Sequence, residues 1–245
     1  MYYLKRKPQL FLLHFAGGSC YSFDFLNKYL ENDFELYPIE LPGRGKRMTD
    51  NLIFNKEEAI KDYFDQIRKL RNQKPFLIYG HSMGATLGLS VANKMKEIND
   101  RPDALVVSGN PGPGIKGNEV KRYLLKDTEF KQELRRLGGV PEEILKNNDL
   151  FDFFAPIMKA DFEVVEKDNF IEKGIVLDIP ICALMGDQER TVAHIENWKK
   201  YTNVSFDFQV LSGNHFFIYD HPTILANAIN SYSAQPIVAK TLQAN

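Results

Sequence analysis

Cysteine is scarce in this 245-residue chain, which holds only Cys20 and Cys182. Neither sits in a Cys-x-x-Cys pair or a Cys/His cluster. That argues against a disulfide framework and a structural zinc site, and it fits a reducing cytosol. Both are read as small buried hydrophobes. An excess of one charge is lacking too: 31 Lys and Arg face 32 Asp and Glu, for a net charge of −1. Such a balance leaves no electrostatic footprint for a nucleic acid or other polyanion. No apolar run approaches the ~18 residues of a membrane span. The N-terminal MYYLKRKPQLFLLHFAGG is basic and then apolar, as a signal peptide is. Its apolar run is short, however, holds His14 and ends on a glycine pair, so it reads as a first core strand. Repeats and low-complexity segments are absent. A soluble, cytoplasmic protein is expected, with neither membrane nor nucleic acid as partner.

A chain of this length can bury a sizeable core, so residues 1–245 are read as one domain. Short apolar runs bounded by turn residues occur at Gln9–Phe15, Phe34–Ile39, Phe76–Tyr79, Ala104–Ser108, Ile181–Met185 and Phe206–Leu211. Runs of this kind suit strands covered on both faces, as in a parallel sheet. Helical patterns lie between them. Lys56–Leu70 puts Ile60, Tyr63, Phe64 and Ile67 on one face, Ala85–Met95 has the small and apolar residues of a buried helix, and Pro222–Tyr232 follows a capped start. Alternating strands and helices predict an α/β fold, with a mostly parallel central sheet and helices on both faces. One block breaks the rhythm, over about 118–172. It holds helical patterns at Asn118–Lys126, Thr128–Leu137, Glu142–Lys146 and Asp149–Lys167 and no convincing strand. It reads as a helical lid insertion over the site, although Leu124, Phe130, Leu134, Leu137, Phe151, Phe153 and Phe154 could equally form a plain second core. The tail, 233–245, loses periodicity and is expected to be disordered.

The chemistry is concentrated in Gly80-His81-Ser82-Met83-Gly84. This G-x-S-x-G pattern is weak alone, but an apolar strand leads in and a small-residue helix leads out. That is the context in which a serine sits on a sharp elbow in α/β-hydrolases. A serine hydroxyl needs a base to take its proton. Of the five histidines, His215 lies directly after the last strand, where the base of this fold belongs. His14, His81, His194 and His221 are read as structural or surface residues. The acid that orients the base should follow the strand Ile181–Met185, in Gly186-Asp187-Gln188-Glu189-Arg190. A Gly-x-x-Asp spacing favours Glu189, and Asp187 stays in contention. The loser would be a solvated loop charge. Two backbone N–H groups must then meet the oxyanion. Met83, after the nucleophile, offers one. The other comes from the Phe15-Ala16-Gly17-Gly18 loop, with Ala16 preferred over Phe15.

Taken together and in order, the motifs resemble those of type II thioesterases of polyketide and nonribosomal peptide synthesis, over about residues 9–232. His14-Phe15-Ala16-Gly17-Gly18 is similar to the family's F-P-x-A-G-G, with His14 where proline is usual. Pro42-Gly43-Arg44-Gly45-Lys46-Arg47 resembles P-G-R-x-x-R, and Gly80–Gly84 resembles G-H-S-M-G. Leu137-Gly138-Gly139-Val140-Pro141 resembles the lid segment L-G-G-x-P. Pro156–Asp161 resembles P-x-x-R-x-D, with Lys159 for arginine, and Gly213–Phe217 resembles G-x-H-F-F. Glu189 stands where aspartate is usual.

The resemblance implies hydrolysis of acyl groups from the phosphopantetheine arm of an acyl or peptidyl carrier protein, through an acyl-Ser82 intermediate. It implies a monomer that edits an assembly line, with no cofactor and no metal. Three rival readings stand beside it: a carboxylesterase or lipase on the same fold, an acyltransferase using the same intermediate, and a non-catalytic hydrolase-fold binding protein.

Overall fold

The computed structural model describes residues 7–115, 120–167 and 170–233. The apolar runs form β1 (Gln9–Leu13), β2 (Glu35–Ile39), β3 (Phe76–His81), β4 (Ala104–Ser108), β5 (Ile181–Gly186) and β6 (Phe206–Leu211). They make one sheet in the order β2-β1-β3-β4-β5-β6, with every neighbouring pair parallel. Strand side chains alternate between faces, so the sheet builds two cores. Phe11, Leu13, Ile78, Leu105 and Ala183 pack toward α2 (Lys56–Leu70) and α3 (Met83–Glu97). Leu10, Leu12, Leu77, Val106 and Leu184 pack toward α1 (Asn27–Leu30) and α7 (Pro222–Asn230) on the other side.

Coverage on both faces holds for β1, β3, β4 and β5, whose residues are all buried. It fails for the edges. In β6 the apolar residues alternate with Asp207 and Gln209, and Phe208 and Val210 are exposed. An edge strand has a neighbour on one side only, and flanking helices do not reach across its whole width.

Helix α2 begins where the Asn55 side chain accepts a hydrogen bond from the Glu58 N–H (2.8 Å), an N-cap. The predicted face is the buried one: Ile60, Tyr63 and Ile67 are fully covered, with Phe64 half-buried. The inserted block folds as α4 (Asp127–Leu137), α5 (Glu142–Lys146) and α6 (Asn148–Glu166). Its first expected helix does not form within the described residues. Asn118 and Glu119 lie outside them, and residues 120–126 hold only a 3-10 turn at Arg122–Leu124. Val120 and Leu124 are exposed, so no buried face rewards a longer helix there. Phe130, Leu134, Leu145, Phe151 and Phe162 make a third core of the block's own, against which Ala16 packs. Leu124 and Phe153 take no part in it. Within the expected tail, residues 234–245 lie outside the described ones. Cys20 and Cys182 are buried, unbridged thiols. Among the described residues no helix is long and apolar enough to cross a membrane.

Strand order reverses between β1 and β3, because β2 lies on the far side of β1. The crevice beyond the carboxyl ends of strands at such a switch is where open α/β sheets bind ligands. Here it is flanked by the loop after β1 and the turn after β3. The inserted block is tied to it by a buried ion pair. Arg44, from the loop after β2, donates to both carboxylate oxygens of Asp161 on α6, at 2.8 Å for Nη2 to Oδ1. The side chains are 4% and 0% exposed. Removing one partner of such a pair strands the other charge, typically at a cost of about 3–5 kcal/mol. Arg44→Met is therefore expected to lower unfolding stability by about that amount in urea titration. A loss below about 1 kcal/mol would show that water reaches Asp161 and that the pair is not a structural tie.

Candidate active site

Ser82 directly follows β3 and occupies the N-cap position of α3, with φ +55° and ψ −111°. A non-glycine residue held at positive φ is strained, and the turn tolerates it because its surroundings are over-determined. The flanking glycines explain how. A Cβ on Gly80 would stand 2.2 Å from the Gly84 carbonyl oxygen, and one on Gly84 would stand 2.1 Å from that of Leu13. The helix start is thus pressed onto β1, leaving no room for a side chain. Ser82 N–H donates to the Ser108 carbonyl (2.8 Å), and Asn110 Nδ2 donates to the Ser82 carbonyl (3.1 Å) and to Thr86 Oγ1 (3.0 Å). Trp198 holds Asn110 in turn, its indole N–H donating to the Asn110 carbonyl (2.8 Å).

The structure brings Ser82, His215 and Glu189 into one chain of hydrogen bonds. His215 Nε2 lies 2.9 Å from Ser82 Oγ, and His215 Nδ1 lies 2.8 Å from Glu189 Oε2. A carboxylate can only accept, so Nδ1 carries the proton and Nε2 is left to accept from the serine. Glu189 Oε1 accepts from the Gly186 N–H (3.0 Å), which fixes the carboxylate plane. Asp187 is not in this chain. Its Oδ1 accepts from the Gly213 N–H (2.9 Å), so it braces the loop that carries His215 and is more than a solvated charge. The same two loops are laced by Asp187 N–H to the Leu211 carbonyl (2.7 Å) and Gln188 N–H to the Gly213 carbonyl (3.1 Å).

Met83 and Ala16 both line the cavity above the sheet. Among the described residues neither backbone N–H donates to a protein acceptor. Met83 opens α3, so the helix dipole adds positive potential there. The loop bearing Ala16 is pinned at its other polar groups. Gly17 N–H donates to Asp161 Oδ2 (2.7 Å), Arg44 Nη1 donates to the Gly18 carbonyl (3.3 Å), and Gly18 N–H donates to the Phe15 carbonyl (2.8 Å). Phe15 itself supplies a ring, edge-on to Phe216 at 4.9 Å.

The cavity has a volume of about 720 Å³. The inserted block lends it Leu134, Leu137, Val140 and Phe162, beside Ser82 and Met83. Gly139 shows how closely the block approaches the base. It has φ +79°, and a Cβ there would lie 2.3 Å from the ring of Phe216, next to His215. Lys159 stays within the block, donating to Asp127 Oδ1 (2.9 Å).

The remaining histidines stay outside the hydrogen-bonded chain, although the His81 ring packs 5.0 Å from that of His215. His14 and His81 are fully buried, and burial first, with Arg44 second, pushes His14 down from 6.5 to about 4. Burial also holds His81 well below its usual value, and its Nδ1 bonds Ser108 Oγ (2.8 Å). His194 is exposed, and His221 bonds the Ser212 carbonyl at 2.8 Å. Sequence reasoning missed Asn110 and gave Arg44 and Asp161 no task. Their motifs were visible, but their meeting was not.

A family model described as a thioesterase domain matches residues 8–232. The chain is 30% identical over 91% of its length to the linear gramicidin dehydrogenase LgrE of Brevibacillus parabrevis, covering 86% of that protein. It is 30% identical to the probable anguibactin biosynthesis thioesterase AngT of Vibrio anguillarum, covering 91% of each chain. Among solved structures, the type II thioesterase BorB from the borrelidin biosynthetic cluster superposes with a TM-score of 0.85 at 27% identity, over 94% of both chains.

The two acids separate experimentally. Glu189→Gln is expected to lower kcat by about 10²–10⁴, through loss of the correct tautomer. Asp187→Asn, which keeps the oxygen that Gly213 needs, should stay within about threefold of the parent. Steady-state kinetics on any turned-over ester or thioester checks this. The reverse order would move the acid to Asp187.

Proposed function

The chain belongs to the thioesterase family, and on that premise we propose that it is a type II editing thioesterase, acting on acyl groups held by a carrier protein's phosphopantetheine thiol. The observation that carries this reading is the hydrogen-bonded chain from Ser82 through His215 to Glu189, set under a lid-bounded cavity. Ser82 Oγ attacks the thioester carbonyl carbon while His215 Nε2 takes the hydroxyl proton. Glu189 stabilises the resulting imidazolium. The oxyanion is met by the Met83 and Ala16 N–H groups, which are in place before the charge develops. Collapse breaks the C–S bond, and the departing sulfur receives the proton from His215. Water then enters, gives its proton to His215 and attacks the acyl carbon, and Ser82 regains its proton as the carboxylic acid leaves.

The block over about 118–172 acts here as the lid. Its inner residues Leu134, Leu137, Val140 and Phe162 line the acyl cavity, and its own core lets it hold shape while the mouth admits the phosphopantetheine arm. Residues 1–245 work as one domain with that insertion, as a monomer in the cytoplasm. The carrier domain of an assembly line is the partner, in keeping with the biosynthetic names of AngT and BorB. The word dehydrogenase in the name of LgrE is said of that protein; a serine hydrogen-bonded to an oriented histidine supports acyl transfer.

Acyl-pantetheine thioesters should be hydrolysed in preference to the matched oxygen esters. Ser82→Ala should lose at least about 10⁴ in kcat while still binding acylated carrier protein. Parallel assays of both substrate series, with carrier binding followed by calorimetry, decide the matter. A clear preference for oxygen esters would replace this reading with a carboxylesterase. Function retained by Ser82→Ala would replace it with a binding protein.

A further inference from the structure

His14 stands where the resembled family carries proline, at the end of β1 and fully buried. Its ring lies between two backbone groups. Leu41 N–H donates to Nε2 (3.3 Å), and Nδ1 lies 2.8 Å from the Phe15 carbonyl oxygen. An amide N–H can only donate and a carbonyl can only accept, so the tautomer is settled: Nδ1 bears the hydrogen and donates it to Phe15.

The Phe15 carbonyl and the Ala16 N–H are opposite ends of one planar trans peptide. Wherever the oxygen is held, the N–H points the other way. That oxygen is held twice, by His14 Nδ1–H and by Gly18 N–H at 2.8 Å. Rotating the peptide would break both bonds inside a buried site. A donor on the carbonyl also polarises the amide and makes its N–H a better donor at the far end. Proline at this position could stiffen the backbone but has no side-chain N–H to give.

We propose that His14 is a positioning residue of the oxyanion hole, whose Nδ1–H on the Phe15 carbonyl sets the direction and strength of the Ala16 N–H. This rests on the reading of Ala16 as an oxyanion donor. It assigns a task to a residue that ordinary core packing would leave without one. The ring touches no substrate and transfers no proton.

Two amide substitutions separate the two hydrogen bonds. In His14→Asn the side-chain nitrogen reaches the place of Nδ1 and keeps the bond to Phe15, losing the acceptor for Leu41. In His14→Gln the amide reaches the place of Nε2, keeping an acceptor for Leu41 and losing the donor to Phe15. The readout is the rate at which a fluorophosphonate labels Ser82, followed by intact mass, since its P=O oxygen must enter the oxyanion hole. Loss of a whole donor costs roughly 10²–10³ in rate, so misdirecting one in His14→Gln is expected to slow labelling about tenfold. With a thioester substrate, kcat should fall by a similar factor and KM should stay within about twofold. His14→Asn should recover to within about threefold of the parent. Equal rates for the two variants, or a loss confined to KM, would overturn the proposal. A purely structural role predicts rates that follow urea stability instead of the identity of the retained bond. If either variant fails to fold, ¹⁵N NMR of the imidazole in the parent protein still decides. A neutral His14 protonated at Nδ1 supports the assignment and one protonated at Nε2 overturns it. Parent protein that is labelled by the phosphonate but leaves thioesters intact would refute the thioesterase reading alone, with the variant ordering still readable.

Discussion

One carboxylate joins three parts of the molecule that are far apart in the chain. Asp161 sits on α6 of the inserted block, receives both Nη atoms of Arg44 from the loop after β2, and accepts the Gly17 N–H from the loop after β1. A buried charge tolerates no vacancy among its partners. Helix α6, the P-G-R loop and the loop after β1 are therefore held to one arrangement, and Ala16 inherits its place from it. Helix α6, the last of the inserted block, is thus part of what shapes the cavity.

A second set of constraints comes from the backbone around the nucleophile and base. The elbow at Ser82 is strained, and it is held by Gly84 against β1, by Ser108 from β4 and by Asn110 beyond it. The acid loop and the base loop are laced by Asp187 and Gln188 before Glu189 and His215 meet. Both sets fix groups before any substrate arrives, which is what electrostatic stabilisation of a developing charge requires. They also explain how hydrogen bonds of 2.8 and 2.9 Å are held between separate segments while both cysteines stay free.

Much of this was legible in the order of residues. The sheet could be read because buried parallel strands are short apolar runs, and because turn residues bound Ala104–Ser108 and Phe206–Leu211 so sharply. Ser82 was legible through its glycines, which chemistry demands at that spacing. His215 followed from its place after the last strand. The acid was legible only as a preference: the Gly-x-x-Asp spacing favours Glu189, but Asp187 is two residues away and only the turn of the loop decides which carboxylate faces the imidazole. The helix expected at Asn118–Lys126 was over-read from polarity pattern, where burial was what counted. Arg44 and Asp161 are separated by 117 positions, and no local pattern announces such a meeting. In sequence His14 reads only as a structural or surface residue, because its ring partners, the Phe15 carbonyl and the Leu41 N–H, are brought to it by the fold.

During turnover the acyl group is expected on Ser82 Oγ. Mixing the protein with acylated carrier protein, quenching within a single turnover and mapping the mass increment by peptide tandem mass spectrometry tests it directly. The expected result is an increment equal to the acyl group on the peptide that contains Ser82, appearing and decaying before free acid accumulates fully. Turnover with no such adduct, or with the adduct on another side chain, would contradict it.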